Sequence, residues 1–209
     1  MKNRFSVILF DLDGTLLNSF SAHYKAYEAM FARFGIPISK KGFLKAYSPD
    51  WYRTYEAFGL PRKSWRLANR YWLEEVEKRP SSPFPKIKET LQLLNGSYAL
   101  GIVTSGSKQR VVQDLARSRL DRLFHVVVTG EDITHPKPHP EGLLKALTHL
   151  SVTRREALYV GDADADFEMA RAAGVEFVCV KSRFAHLPLE GPFATISSIR
   201  DLPILLSAR

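Results

Sequence analysis

Two kinds of hydrophobic pattern alternate along most of this chain. Short unbroken apolar runs at Val7–Phe10, Ala99–Val103, Val126–Val128, 158–160 and 177–180 have the length and composition of strands covered on both faces, as in a parallel sheet. Between them apolar residues recur at helical spacing, with Ile87, Leu91 and Leu94 in one segment and Leu143, Leu144, Leu147 and Leu150 in another. Repeated strand and helix units of this kind predict an α/β fold built on a doubly wound parallel sheet.

The segment 19–82 follows a different rule. Phe20, Tyr24, Tyr27, Phe31 and Phe34 draw one aromatic stripe along a helix that Gly35 and Pro37 end, and Trp65, Ala68, Trp72 and Val76 draw a second. A polar, aromatic stretch at 45–58 separates them, and all three tryptophans of the chain lie in this region. The stripes predict a small helical unit without strands. Residues 79–85, RPSSPFP, hold three prolines and two serines and read as a semi-rigid linker. The expected organisation is therefore a sheet domain over 1–18 and 83–209, with an inserted helical unit over 19–82. Its two connections would make a hinge.

Composition narrows the class. The 209 residues, 45% hydrophobic, suffice for a full core. The lone cysteine, Cys179, excludes an intrachain disulfide and a cysteine-rich zinc site, and its apolar neighbours predict a buried strand residue. The basic start MKNR leads into an apolar run that meets Asp11 too soon for a signal peptide, and no stretch reaches membrane-spanning length. A cytoplasmic protein is expected. Of the net charge of +8, the segment 19–84 supplies +6, from 12 Lys/Arg against 6 Asp/Glu. Such a surface attracts anionic ligands, but there is no arginine tract, zinc finger or RNA-binding signature, so nucleic acid is not expected.

The predicted strand ends carry the candidate chemistry. Val7–Phe10 stops at Asp11-Leu12-Asp13-Gly14-Thr15, where residues two apart point to the same side and both carboxylates can converge. Alone, such a pair is an ordinary acidic turn. Further along, Thr104-Ser105-Gly106-Ser107 offers a hydroxyl and several N–H groups to an anion, Lys137 sits in the proline-restrained HPKPHP, and Asp162, Asp164 and Asp166 follow the strand ending at Val160. Carboxylates, a hydroxyl and a lysine at successive strand ends suit phosphoryl transfer, and oxygen ligands suit Mg²⁺, for which Asp11, Asp162 and a carbonyl near Asp13 would suffice. His135 and His139 have a zinc-like spacing only on a helix, which the prolines forbid, so they are not expected to bind metal.

Taken in order, Asp11 to Thr15, Thr104, Lys137-Pro138 and Gly161-Asp162 through Asp166 closely resemble the four motifs of the haloacid dehalogenase superfamily. The helical insert after the first motif makes the whole chain similar to the subgroup with phosphoglycolate phosphatase and β-phosphoglucomutase. The resemblance implies a Rossmann-like core with an inserted all-helical cap domain that sets substrate specificity. By matching position, Asp11 would be the nucleophile that becomes an aspartyl-phosphate, and Asp13 the acid/base. Thr104, Ser105, Gly106 and Lys137 would bind phosphate, Asp11, Asp13 and Asp162 would ligate Mg²⁺, and Asp166 would support them. In the cap, His23, Lys45, Tyr47, Trp51 and Arg53 are the positions that could read the substrate, although for His23 a helix-surface role weighs equally.

Asn18, Ala163 and Pro85-Lys86 depart from the subgroup's usual residues without removing a catalytic group. The implied function is Mg²⁺-dependent hydrolysis of a small phosphomonoester, with phosphomutase as the alternative and a phospho-accepting signalling or binding protein as a weaker one. The second aspartate, Asp13, argues against a dehalogenase. The expected partner is a small phosphorylated metabolite and no membrane, and the expected state is a monomer or weak dimer.

Overall fold

Apolar residues of β-branched and aromatic type, too few in each run for a helix, place Val7–Phe10 at the centre of the sheet. The computed structural model describes residues 4–48, 50–182, 191 and 193–207. Of the basic start MKNR, residues 1–3 lie outside them. In chain order the elements are β1 (Val7–Phe10), β2 (Leu17–Asn18), α1 (Phe20–Ala32), α2 (Lys40–Ala46), α3 (Trp51–Ala57), α4 (Trp65–Glu77), β3 (Ser82–Pro83), α5 (Ile87–Asn95) and β4 (Ala99–Val103). There follow α6 (Lys108–Arg117), β5 (Val126–Val128), α7 (Glu141–Leu150), β6 (Ala157–Gly161), α8 (Asp164–Ala173), β7 (Glu176–Val180), β8 (Ala194–Ile196) and α9 (Leu202–Ser207). Two compact units result, Met1–Asn18 with Ser82–Arg209, and Ser19–Ser81.

The first unit is a six-stranded parallel sheet in the order β5-β4-β1-β6-β7-β8. This is the doubly wound, Rossmann-like order, in which the chain works outward from β1 on one side and then returns to lay β6 against its other side. Alternation along each strand feeds two cores. Ile8, Phe10, Leu100, Ile102 and Val160 face α5, α6 and α9 through Leu91, Val111 and Leu202. Val7, Leu9, Val103, Tyr159 and Cys179 face α7 and α8 through Leu143, Leu147 and Met169. Cys179 is buried on β7, and that burial pushes its thiol up to about 11, so it remains an inert core residue. Register sets the strand ends level. Phe10 lies between Ile102 and Val160, so Asp11, Thr104 and Asp162 all leave the same edge of the sheet.

Three short strands escaped the sequence pattern. Leu17 and Asn18 pair antiparallel with Pro83 and Ser82, so the proline-rich connection is partly a two-stranded ribbon rather than a bare linker. Proline is tolerated there because the ribbon has open edges on both sides. The third, β8, pairs with β7.

The second unit holds only helices among its described residues, packed around Tyr27, Met30, Phe31, Phe43, Tyr55, Leu60, Trp72 and Val76. The stretch at 45–58 that the periodicity left unassigned contains α3 and the end of α2. Each is seven residues long, too short to display a stripe, and their readable signals are the caps. Ser39 accepts a hydrogen bond from Gly42 N, and Asp50 accepts one from Tyr52 N. No helix among the described residues is long and apolar enough to cross a membrane.

Glu75 on α4 is the ionic node of this unit. It is buried, accepts hydrogen bonds from Lys78, Arg79 and Arg33, and those from Lys78 and Arg79 pull its carboxyl down to about 2. Because the folded value lies below the unfolded one, its stabilisation is present above about pH 4.5 and lost as pH falls towards 2. Glu75→Ala should cost about 1–2 kcal/mol at neutral pH, less than a fully buried pair because its partners are half-exposed. Thermal unfolding of the variant beside the wild type at pH 7 and pH 3 measures this, and the gap between the two should be smaller at the lower pH.

Candidate active site

The turn after β1 shows why its residue types are needed. Asp11 N donates to Val160 O at 2.9 Å, while Leu16 N and Leu17 N both reach Leu12 O, folding residues 12–17 into a tight reversal. Gly14 sits at φ +87°, and a Cβ there would lie 2.4 Å from Asp162 Oδ2. No other residue offers both the backbone freedom and the space. Thr15 Oγ1 donates to Asp162 Oδ1 at 3.0 Å, tying the β1 turn to the β6 turn.

Asp11, Asp162 and Asp166 converge from these two turns, with carboxylate oxygens within 4.8 Å of one another and all three side chains buried. Lys137 answers them. Its Nζ donates to Asp11 Oδ1 at 2.6 Å, Asp166 Oδ1 at 2.7 Å and the Tyr159 hydroxyl at 2.8 Å. The Tyr159 hydroxyl in turn shares its single proton between Asp166 Oδ1, 2.9 Å away, and Val103 O, 3.1 Å away. Asp166 Oδ2 accepts from the N–H groups of Asp162 and Ala163 at the start of α8, where a carboxylate is favoured.

Burial dominates the titration of this cluster. It raises Asp11 well above the usual carboxylate range, Lys137 draws it back, and Asp166, Asp162 and Asp13 push it up further. Asp162 is pushed up to about 7 by burial and by Asp166. Lys137 stays charged, because Asp11 and Asp166 more than offset the desolvation of its ammonium group. Three carboxylates against one ammonium leave an excess of negative charge among hard oxygen donors. That donor set fits a divalent cation of the Mg²⁺ type, which would offset the repulsion.

Asp13 turns elsewhere. Its carboxylate forms a two-pronged ion pair with the Arg110 guanidinium, whose Nη1 also lies 3.1 Å from Asp114 Oδ2. Asp166, not the Asp13 side chain, completes the trio of acids. Beside β4, Thr104 N donates to Val128 O and Thr104 Oγ1 accepts from Gly106 N at 3.1 Å. The hydroxyl oxygens of Ser105 and Ser107 are buried with no hydrogen-bond partner among the described residues. A buried hydroxyl without a partner is costly.

Arg110 and Tyr159 are the residues that sequence reasoning missed. Tyr159 had a faint signal, a hydroxyl inside the apolar run 158–160. Arg110 had none, being one of several basic residues in its helix. Gly106, expected from the sequence as a phosphate-binding residue, is also needed for space, since a Cβ there would lie 2.2 Å from Arg110 Nη2.

The five specificity positions belong to the helical unit. His23 is buried with its ring 5.6 Å from that of Trp72, which corrects the helix-surface reading, because the second aromatic stripe packs over it. Tyr47 and Trp51 are half-buried against Phe43 and Trp72, whereas Lys45 and Arg53 are exposed, Arg53 pairing with Asp50 at 3.6 Å.

Comparison with known proteins places this geometry among relatives. The family described as haloacid dehalogenase-like hydrolase matches residues 8–180. Pyrophosphatase PpaX of Bacillus anthracis is 30% identical, the match spanning 98% of this chain and 97% of that protein. The PpaX of Bacillus mycoides is 31% identical over 98% of both. A haloacid dehalogenase-superfamily hydrolase of subfamily IA from Geobacter sulfurreducens superposes with a TM-score of 0.73 at 31% identity, covering 98% of this chain and 97% of that one. CbbY from Rhodobacter sphaeroides, solved with phosphate, has a TM-score of 0.84 over 95% of this chain and 96% of its own; at 19% identity it shares the fold.

Proposed function

The chain belongs to the haloacid dehalogenase-like hydrolases and is an enzyme of their phosphatase branch, and from that premise we propose that it is a Mg²⁺-dependent phosphatase of small phosphomonoesters. Asp11 attacks phosphorus and carries the phosphoryl group as an aspartyl-phosphate; Asp13 protonates the leaving oxygen and then takes a proton from the attacking water. The observation that carries this reading is the buried meeting of Asp11 with Lys137 at 2.6 Å, beside a second acid from the β6 turn. The nucleophile is thereby fixed, and the ammonium group stands where charge gathers on the phosphoryl oxygens. Thr104, Ser105 and Gly106 supply hydroxyl and N–H donors to the same oxygens, and the Ser105 hydroxyl, which has no partner among the described residues, supports an anion there. Asp11 and Asp162, with the main chain at Asp13, would hold Mg²⁺, which when bound supplies a Lewis acid for the phosphoryl oxygens. Asp166 holds Lys137 in place.

Asp13 must leave Arg110 to act as an acid, so Arg110 serves as its resting partner. The helical unit, with its excess of basic residues, is the proposed reader of the substrate through His23, Lys45, Tyr47, Trp51 and Arg53. We further propose a cytoplasmic monomer or weak dimer. A second reading, hydrolysis of inorganic pyrophosphate, is favoured by the relatives named pyrophosphatase that match nearly the whole chain. The test is Mg²⁺-dependent phosphate release from a panel of sugar phosphates, phosphoglycolate, nucleotides and pyrophosphate, with Asp11→Asn as the blank. Release confined to pyrophosphate would select the second reading, and isomerised sugar phosphate without release would replace both with a mutase.

The Mg²⁺ requirement should depend on pH. With Asp162 pushed up to about 7, its ligating form is the minority below that pH, so protons compete with the cation. The Mg²⁺ concentration for half-maximal rate is expected to fall about tenfold from about pH 6 to about pH 8. Mg²⁺ titrations of the rate at fixed pH measure this, and a flat requirement would contradict the proposed role of Asp162.

A further inference from the structure

The lysine turn has an outer side that the chemistry above does not use. Residues 135–139, HPKPH, fold back on themselves through a hydrogen bond from His139 N to Pro136 O at 3.0 Å. Lys137 at the tip is buried, while the rings of His135 and His139 at the feet are exposed and come together with centroids 4.5 Å apart. The prolines do forbid a helix here, and a turn brings the two imidazoles together in its place.

Glu141, in the first turn of α7, meets the pair. One nitrogen from each ring and a carboxylate oxygen of Glu141 lie within 4.8 Å of one another. The carboxylate is oriented in advance, because it accepts from Thr134 N at 2.8 Å and His135 N at 2.9 Å. Two main-chain donors thus fix the carboxylate in place beside the two rings. His135 Nδ1 lies 2.9 Å from Glu141 Oε2, a separation that a shared proton now spans and a cation could take over. The remaining contact, from Glu141 N to His139 Nδ1, is long at 3.3 Å and therefore weak.

We propose that His135, His139 and Glu141 form a second metal site, for a transition-metal dication of the Zn²⁺ class, on the outer side of the turn that carries Lys137. Ligand chemistry separates it from the acidic cluster. Two imidazoles and one carboxylate suit Zn²⁺, Ni²⁺ or Cu²⁺, with water completing the coordination, whereas an all-oxygen set suits Mg²⁺. A salt bridge to Glu141 would need one imidazole only; the second ring adds a lone pair, which serves a cation. Bound there, the ion links the two feet of the turn to α7 and so restrains the loop that presents Lys137.

The experiment is equilibrium dialysis of the untagged protein against Zn²⁺, with Mg²⁺ in large excess to occupy the acidic cluster. The wild type should retain one equivalent, and so should Asp162→Asn. His135→Ala, His139→Ala and Glu141→Gln should each weaken retention by about 100-fold. Thermal unfolding with and without Zn²⁺ gives the second readout, the upward shift being lost in the same three variants. The proposal is overturned if the wild type retains no Zn²⁺, if His135→Ala/His139→Ala retains it undiminished, or if retention disappears in Asp162→Asn. Because the readouts are binding and stability, the result is independent of whether the phosphatase reading holds.

Discussion

Asp11→Asn is expected to lower kcat by roughly 10³- to 10⁵-fold and to leave the protein folded at least as stably as the wild type. The amide keeps the size of the carboxylate and keeps an oxygen that can accept from Lys137 Nζ, so the contact now 2.6 Å long has a successor. It lacks a nucleophilic oxygen with full negative charge, and no acyl phosphate can form on it. Stability moves the other way for an electrostatic reason. Burial raises the Asp11 carboxyl well above its ordinary range, and Asp166, Asp162 and Asp13 add repulsion that Lys137 only partly offsets. Neutralising Asp11 removes that cost while Lys137 keeps Asp166 as an ionic partner at 2.7 Å. Phosphate release and thermal unfolding on the same preparation check both halves. Activity close to wild type with an intact fold would sink the nucleophile assignment, whereas lower melting would contradict the charge balance.

Much of this was legible because it is periodic or because it sits at strand ends. The apolar runs and the aromatic stripes state their environment repeatedly, and the register of β1 with β4 and β6 brings Asp11, Thr104 and Asp162 to one edge. What stayed hidden depends on single side chains crossing between elements. Arg110 reaches Asp13 from a helix nearly a hundred residues away, and nothing in its neighbourhood distinguishes it from other basic positions. Asp166 outranks the Asp13 side chain in the acid cluster for a local reason, namely that two N–H groups at the start of α8 fix its other oxygen. The nearness of the His135 and His139 rings stayed hidden because a turn, which leaves no periodic signal, brings them together.

Lys137→Met should be the most damaging single change to the sheet domain, costing about 3–5 kcal/mol of stability near neutral pH, because it removes one partner of a buried ionic cluster. It should also lower kcat by roughly 10²- to 10³-fold, the scale of losing one charged donor to the transition state. Methionine fills much of the lysine's volume, so the loss is electrostatic in origin and should carry a pH signature. Without Lys137, Asp11 keeps the burial and the repulsion that raise it and loses the positive neighbour that lowers it. Its folded value then lies far above the unfolded one, so between the two the native state binds the proton that the unfolded chain has released. Stability of the variant must therefore fall as pH rises from about 4 through neutrality, so that its deficit against the wild type widens across that range. Urea unfolding at a series of pH values checks the slope. Added Mg²⁺ should recover part of the stability, since a dication offsets the same carboxylates, but not the rate, since the ammonium group is still missing from the phosphoryl oxygens. A deficit that stays constant with pH would mean that Lys137 serves the fold through packing and not through its charge.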